Sequence, residues 1–130
     1  MKTESQKSLS QDHSFLDDMK GVMRVKSKVW IEIDGLPFFG EGRRNLLIHI
    51  EELWSISSAA KQVGISYKKA WSYIKNMEVR LGVQLARKCV GGKGGGGTTL
   101  TEEAKVLISK FDQLQEGNQE IINETFKETF

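Results

Sequence analysis

Residues 91–97 read GGKGGGG, and within them Gly92-x-Gly94-x-x-Gly97 has the spacing that cradles a dinucleotide pyrophosphate. That chemistry needs a strand before the glycines, a helix opening on them and an acidic residue further on. Here the glycines run into Thr98-Thr99-Leu100, which reads extended. Lys93 is followed by Gly94, not by the Ser or Thr of a nucleoside-triphosphate loop. A flexible linker is the plainer alternative. A hairpin tip lying on nucleic-acid backbone fits the surroundings better. Glycine leaves no side chain between a backbone N–H and a phosphate, and it accepts the positive φ of a tight tip. Arg87, Lys88 and Lys93 gather at this stretch without one carboxylate.

No catalytic constellation competes with that reading. His13 lies in a polar N-terminal stretch and His49 has no nucleophile beside it. Two histidines and one cysteine do not make a dedicated zinc site, so no metal and no cofactor is expected. Cys89 is read as an idle thiol, with redox sensing as the alternative. A nucleotide-dependent enzyme using the glycine loop is the reading set aside, and the chain is expected not to be an enzyme.

The charge supports a polyanion partner. Residues 61–100 carry eight basic side chains against Glu78 alone, while the segments on either side are net acidic and the whole chain is only +2. A basic middle between acidic flanks is a localised footprint, where a lone charge run would be a solvated face. With 38% hydrophobic and 28% charged residues, the 130-residue chain has the composition of a folded soluble domain. No apolar run is long enough to cross a bilayer, so no membrane partner is expected, and the expected home is the cytoplasm, against the nucleoid.

These residues need elements to hold them. Residues 1–24 are read as an arm, weakly ordered or a short helix. Val29, Ile31 and Ile33 alternate as in a half-buried strand, Asp34-Gly35 turns the chain, and residues 36–39 return as a short edge strand. A first helix runs from about Glu41 to Trp54, with Leu46, Leu47, Ile50, Leu53 and Trp54 at helical spacing and Arg43 and Arg44 in its first turn, where the macrodipole gives cations no help. Ser57 is expected to cap a second helix carrying Ile56, Ala59, Ala60 and Val63. Gly64 ends it and Ser66 caps a third. That tight glycine turn between two helices is a helix-turn-helix unit.

The third helix, Tyr67 to Leu81, divides by angle. Ala70, Ile74, Met77, Glu78 and Leu81 share one side with Tyr67 and Trp71, which are read first as core buttresses. Lys68, Lys69, Ser72 and Asn76 fall opposite, with Tyr73 and Lys75 on the flanks. Lysine, asparagine and serine suit base edges and phosphates. Gly82 stops this helix, and two short extended segments flank the glycines as a hairpin wing. The fold class expected is therefore mostly α with a small β component, a winged helix-turn-helix over residues 25–100.

Three stretches, GRRNLLIHI at 42–50, SISSAAKQVGISYKKAW at 55–71 and GGKGGGGTTLTEEA at 91–104, resemble the N-terminal domain of ModE-type molybdate-responsive regulators. IKNMEVRLGVQL at 74–85 is more loosely similar to the LysR-type regulator head. The resemblance implies a winged helix that binds operator DNA as a dimer, with Ser66 to Asn76 as recognition helix and residues 85–100 as wing. The implied DNA-contacting set is Ser66, Tyr67, Lys68, Lys69, Ser72, Tyr73, Lys75 and Asn76. Ser57, Ser58, Arg43, Arg44, Arg87, Lys88 and Lys93 would set register on phosphates. Full-length members continue into molybdate-binding modules. This chain shows no such oxyanion pocket, so sensing is expected to fall to a separate effector-sensing protein.

Thr101 caps a last helix, and residues 101–130 are read as a dimerisation helix. Leu107, Phe111, Leu114 and Ile121 follow the rhythm of a paired seam, with a stripe of the domain's own core as the alternative, and Gly117 marks a bend or break. The function expected is a sequence-specific, dimeric DNA-binding transcriptional regulator acting on an inverted repeat. A winged helix that binds protein and reads no DNA is the alternative.

Overall fold

The computed structural model describes residues 14–90 and 96–130, so the expectations for His13, for Lys93 and for the glycine tip at 91–95 lie outside the described residues. The element order is α1 (Ser14–Met19), β1 (Trp30–Ile33), β2 (Leu36–Gly40), α2 (Glu41–Leu53), α3 (Ile56–Val63), α4 (Tyr67–Leu81), β3 (Ala86–Cys89), β4 (Gly97–Leu100) and α5 (Glu102–Thr129). The order of elements is that of a mostly α winged helix, with two small antiparallel hairpins, β1–β2 and β3–β4. The chain forms two compact units, one of Val29–Gln115 and one of the remaining N- and C-terminal segments.

In the larger unit, β1 and β2 meet through Asp34 (φ 54) and Gly35 (φ 77), the pair of left-handed residues that a two-residue hairpin turn requires. The ladder shifts register between Ile31 and Glu32, a bulge in the strand pair. Phe38 and Phe39 on β2 enter the core, where they join Leu46, Leu47 and Ile50 of α2 and Ile74 and Met77 of α4. Ala59, Ala60, Ala70 and Ala104 are fully buried, small enough to bring helices close.

The helix-turn-helix boundaries follow from capping. Gly64 closes α3 in the left-handed region, and Ser66 Oγ accepts the Lys69 N–H at 3.0 Å to open α4. At the start of α3 the cap is Ser55, whose Oγ accepts the Ser58 N–H at 3.0 Å, so the expected cap at Ser57 is corrected by two residues. The cause is Trp54, which leaves α2 in a left-handed conformation (φ 58) and frees Ser55 to extend. Leu46, Leu47 and Ile50 of the helical spacing are buried, while Leu53 and Trp54 at its end are exposed.

Thr101 opens α5 as expected. Its Oγ1 accepts the Ala104 N–H and donates to the Gln84 carbonyl, while its own N–H donates to the Leu85 carbonyl. Ala104, Ile108 and Phe111 then bury in the core of this unit, with Phe111 edge-on to Phe39 at 5.2 Å between ring centroids. Phe111 is thus a core residue of its own subunit, which corrects its assignment to a dimer seam. Leu107 is half-buried against the same core. The helix continues through Gly117 without a break.

In the smaller unit, Gln119 straps the chain before β1. Its Oε1 accepts the Ser27 N–H and hydroxyl at 2.9 and 2.8 Å, and its Nε2 donates to the Val25 carbonyl at 2.8 Å. Phe126 and Phe130 stack at 4.9 Å.

Phe39→Ala and Phe111→Ala are each expected to cost about 3–5 kcal/mol, because both rings are buried and pack on one another. Urea unfolding monitored by circular dichroism checks this, and Phe111→Ala costing no more than a surface substitution would contradict the core placement.

Candidate nucleic-acid interface

α4 buries Ala70, Ile74 and Met77 and exposes Lys68, Lys69, Ser72 and Asn76 together on its outer face, with Lys75 exposed on the flank. Neither Lys68 nor Lys69 has an ion-pair partner among the described residues. Ser57 and Ser58 are exposed in the first turn of α3. Ser66 is committed as the cap of α4. Tyr67 and Trp71, expected as core buttresses, are instead 54% and 46% exposed. Both line a cleft at the edge of the side that buries Ala70, Ile74 and Met77. Tyr73 moves the other way: it is half-buried against the core, with Lys69 Nζ 5.8 Å from its ring centroid.

The two arginines at the start of α2 point into their own domain. Arg43 donates to the Phe38 carbonyl at 2.8 Å and to Asn76 Oδ1 at 3.3 Å, and its guanidinium stacks 4.6 Å from the Tyr73 ring centroid. Burial lowers its pKa, partly opposed by Tyr73. Arg44 forms a two-pronged bond to Asp112, Nε to Oδ1 at 2.6 Å and Nη2 to Oδ2 at 3.0 Å, and these bonds raise its pKa. Both guanidiniums are engaged internally. Their place in the first turn puts them within reach of these partners. Arg43 in turn engages the side-chain oxygen of the exposed Asn76.

The wing is pinned at its root by two carboxylates. Glu78 Oε2, on α4, accepts the N–H groups of Leu85 and Ala86 at 2.8 and 3.3 Å, while Oε1 takes Lys75 Nζ at 3.1 Å. Glu51 Oε2, on α2, accepts the Leu100 N–H at 3.2 Å. Between them the Trp54 carbonyl accepts the Thr98 N–H at 2.9 Å. Gly97 is required there, since a Cβ at that position would stand 2.9 Å from the Trp54 oxygen. With Ala86 paired to Leu100 and Cys89 to Gly97, Arg87 and Lys88 project from β3 into solvent. α4, the α3 start and the wing meet around one cleft of about 530 Å³ that Ser57, Tyr67, Lys75, Arg87 and Lys88 help to line.

Residues 45–105 match the model of the bacterial regulatory helix-turn-helix protein, lysR family, which covers α2 through the wing and into α5. The DNA-binding transcriptional dual regulator ModE of Escherichia coli strain K12 is 44% identical over 82 residues, 62% of this chain and 31% of that protein. The chain carries a ModE-type DNA-binding head. The transcriptional regulator ModE of Haemophilus influenzae is 36% identical over 85 residues, 65% of this chain and 33% of that protein. The molybdenum-pterin-binding protein MopB of Rhodobacter capsulatus is 36% identical over 84 residues, 65% and 31% of the respective chains. The chain thus spans about a third of the length of these relatives, so the likeness is to a head and not to a whole protein.

Within this ModE-type head, Glu51 and Glu78 were not legible as site residues, and neither was the left-handed Trp54. The one available signal was that Glu78 is the single acid among the eight cations of residues 61–100. Replacing it with alanine leaves two backbone N–H groups without their acceptor, so Glu78→Ala is expected to cost about 1–3 kcal/mol. Amide exchange checks the cause: Leu85 and Ala86 should lose protection ahead of the α2 core, and a uniform loss would contradict the anchoring role.

Proposed function

We propose that the chain is a sequence-specific, DNA-binding transcriptional regulator and not an enzyme, with α4 as its recognition helix and β3–β4 as its wing. The single observation that carries this is the joint placement of exposed Lys68 and Lys69, without ion-pair partners among the described residues, with Ser72 and Asn76 on one helical face, beside a wing presenting Arg87 and Lys88. Lys68, Ser72 and Asn76 read base edges in the major groove, while Lys69, Lys75, Ser57, Ser58, Arg87 and Lys88 meet phosphates. The relatives' names, transcriptional regulator and transcriptional dual regulator, support the same direction.

The acting form is a homodimer on an inverted repeat. Leu114 and Ile121 are exposed on α5 two helical turns apart, and Leu81, Val83, Val106 and Leu107 line an apolar groove of about 470 Å³. Such surfaces favour a second copy, which would set two recognition helices about 34 Å apart in successive major grooves. No described helix is long and apolar enough to cross a membrane. The proposed setting is the cytoplasm, on the nucleoid, with an effector sensed by a separate protein.

Selecting bound fragments from a genomic library defines the operator. On it, Lys68→Ala or Asn76→Ala should cost about 1–3 kcal/mol and relax base preference, whereas Lys88→Ala should weaken operator and random duplex evenly and lower the salt slope by about 1. Equal losses on both duplexes for all three variants would contradict the assignment of α4 as reader. Wild-type affinity should fall by about 10³–10⁵ between 50 and 200 mM salt if six to ten phosphates are neutralised per dimer. Binding insensitive to salt would point to a protein-interaction role instead.

A further inference from the structure

Three aromatic side chains stand exposed around the cleft between α4 and the wing: Trp54, Tyr67 and Trp71. A soluble domain rarely leaves two indoles uncovered on one concave surface without a partner for them. Among the described residues the lining contains Lys75, Arg87 and Lys88 and no carboxylate. Lys75 is paired with Glu78 and lies 5.6 Å from the Trp71 ring centroid, whereas Arg87 and Lys88 have no ion-pair partner among the described residues. One wall is held firmly, because the Trp54 carbonyl is bonded to Thr98 and its indole packs beside Gly97. The cleft is therefore a fixed trough with apolar aromatic walls and a cationic rim.

We propose that Trp54 and Trp71 form a binding site for the deoxyribose–phosphate backbone of duplex DNA, in which the sugar faces pack on the indoles and the phosphate oxygens meet Arg87 and Lys88. This rests on the reading of α4 and the wing as the DNA-facing elements. A helix in the major groove and a hairpin in the adjacent minor groove are separated by one ridge of sugar and phosphate, and the trough lies between those two elements. Charge complementarity commits the occupant to a polyanion, and the aromatic walls give a neutral contribution that salt does not screen. Trp54 and Trp71 thus position the duplex without reading its sequence.

The test measures affinity for random-sequence duplex DNA across a salt series, using the full chain. Trp71→Ala and Trp54→Ala should each weaken binding about ten-fold at every salt concentration with an unchanged salt slope, while Trp71→Phe stays within about two-fold of wild type. Melting temperatures identify a variant that fails to fold. An independent readout avoids that risk: the Trp30→Phe, Trp54→Phe double variant leaves Trp71 as the one indole, and its fluorescence should be quenched by duplex at the binding stoichiometry. If Trp71→Ala binds duplex normally while Lys88→Ala is impaired, the trough makes no contact and the proposal is overturned, with the DNA reading intact. If a free deoxymononucleotide quenches Trp71 saturably and duplex does not, the cleft is a small-ligand site and the proposal is again overturned. If wild type fails to bind random duplex even at low salt, the underlying reading of α4 and the wing falls first.

Discussion

Two acidic side chains set the geometry of a basic surface. Glu78 on α4 and Glu51 on α2 accept backbone N–H groups at the two ends of the wing root, Leu85 and Ala86 on one side and Leu100 on the other. A hairpin of four-residue strands is marginal on its own. It is held here because its orphan donors are satisfied by carboxylates from the helices it must stand beside, and a buried donor left unpaired would cost about 1–3 kcal/mol each. The Trp54 carbonyl adds a third tie through Thr98. The orientation of Arg87 and Lys88 relative to α4 follows from these bonds.

The cations divide by type according to what they do. Arg43 and Arg44 are forked and committed, to the Phe38 carbonyl and Asn76 in one case and to Asp112 in the other. A planar guanidinium suits such fixed, partly buried pairing. Lys68, Lys69 and Lys88 are exposed, and a lysine on a flexible stem can follow a phosphate without prior order. These two arginines are used for internal pairing, while these three lysines stay exposed. Arg43 also bonds the side-chain oxygen of Asn76, a residue of the exposed face of α4.

Much of this was legible in the chain itself because it depends on local rules. The 3.6-residue period separated Lys68, Lys69, Ser72 and Asn76 from Ala70, Ile74 and Met77, and Gly64, Ser66, Gly82 and Thr101 marked helix ends through their own backbone and hydroxyl chemistry. What failed depended on tertiary context. Ser57 was read as the cap of α3, and the cap falls instead at Ser55, directly after the left-handed Trp54. Period alone put Tyr67 and Trp71 on the inward side, but whether an inward side meets core or cleft depends on what lies opposite. Phe111 fitted a seam rhythm that a core residue satisfies equally, and its contact with Phe39 settles the matter. The partners of Arg43, Arg44, Glu51 and Glu78 are distant in sequence or cross elements, which no local pattern encodes.

Lysine reactivity tests most directly whether α4 and the wing meet duplex DNA together. The full chain is acetylated with and without bound duplex and each lysine is quantified by mass spectrometry. Lys68, Lys69 and Lys88 should be protected together, while Lys105, Lys110 and Lys127 on α5 stay as reactive as in the free protein. Protection confined to α5, or of Lys88 without Lys68 and Lys69, would contradict the joint surface on which the DNA reading stands.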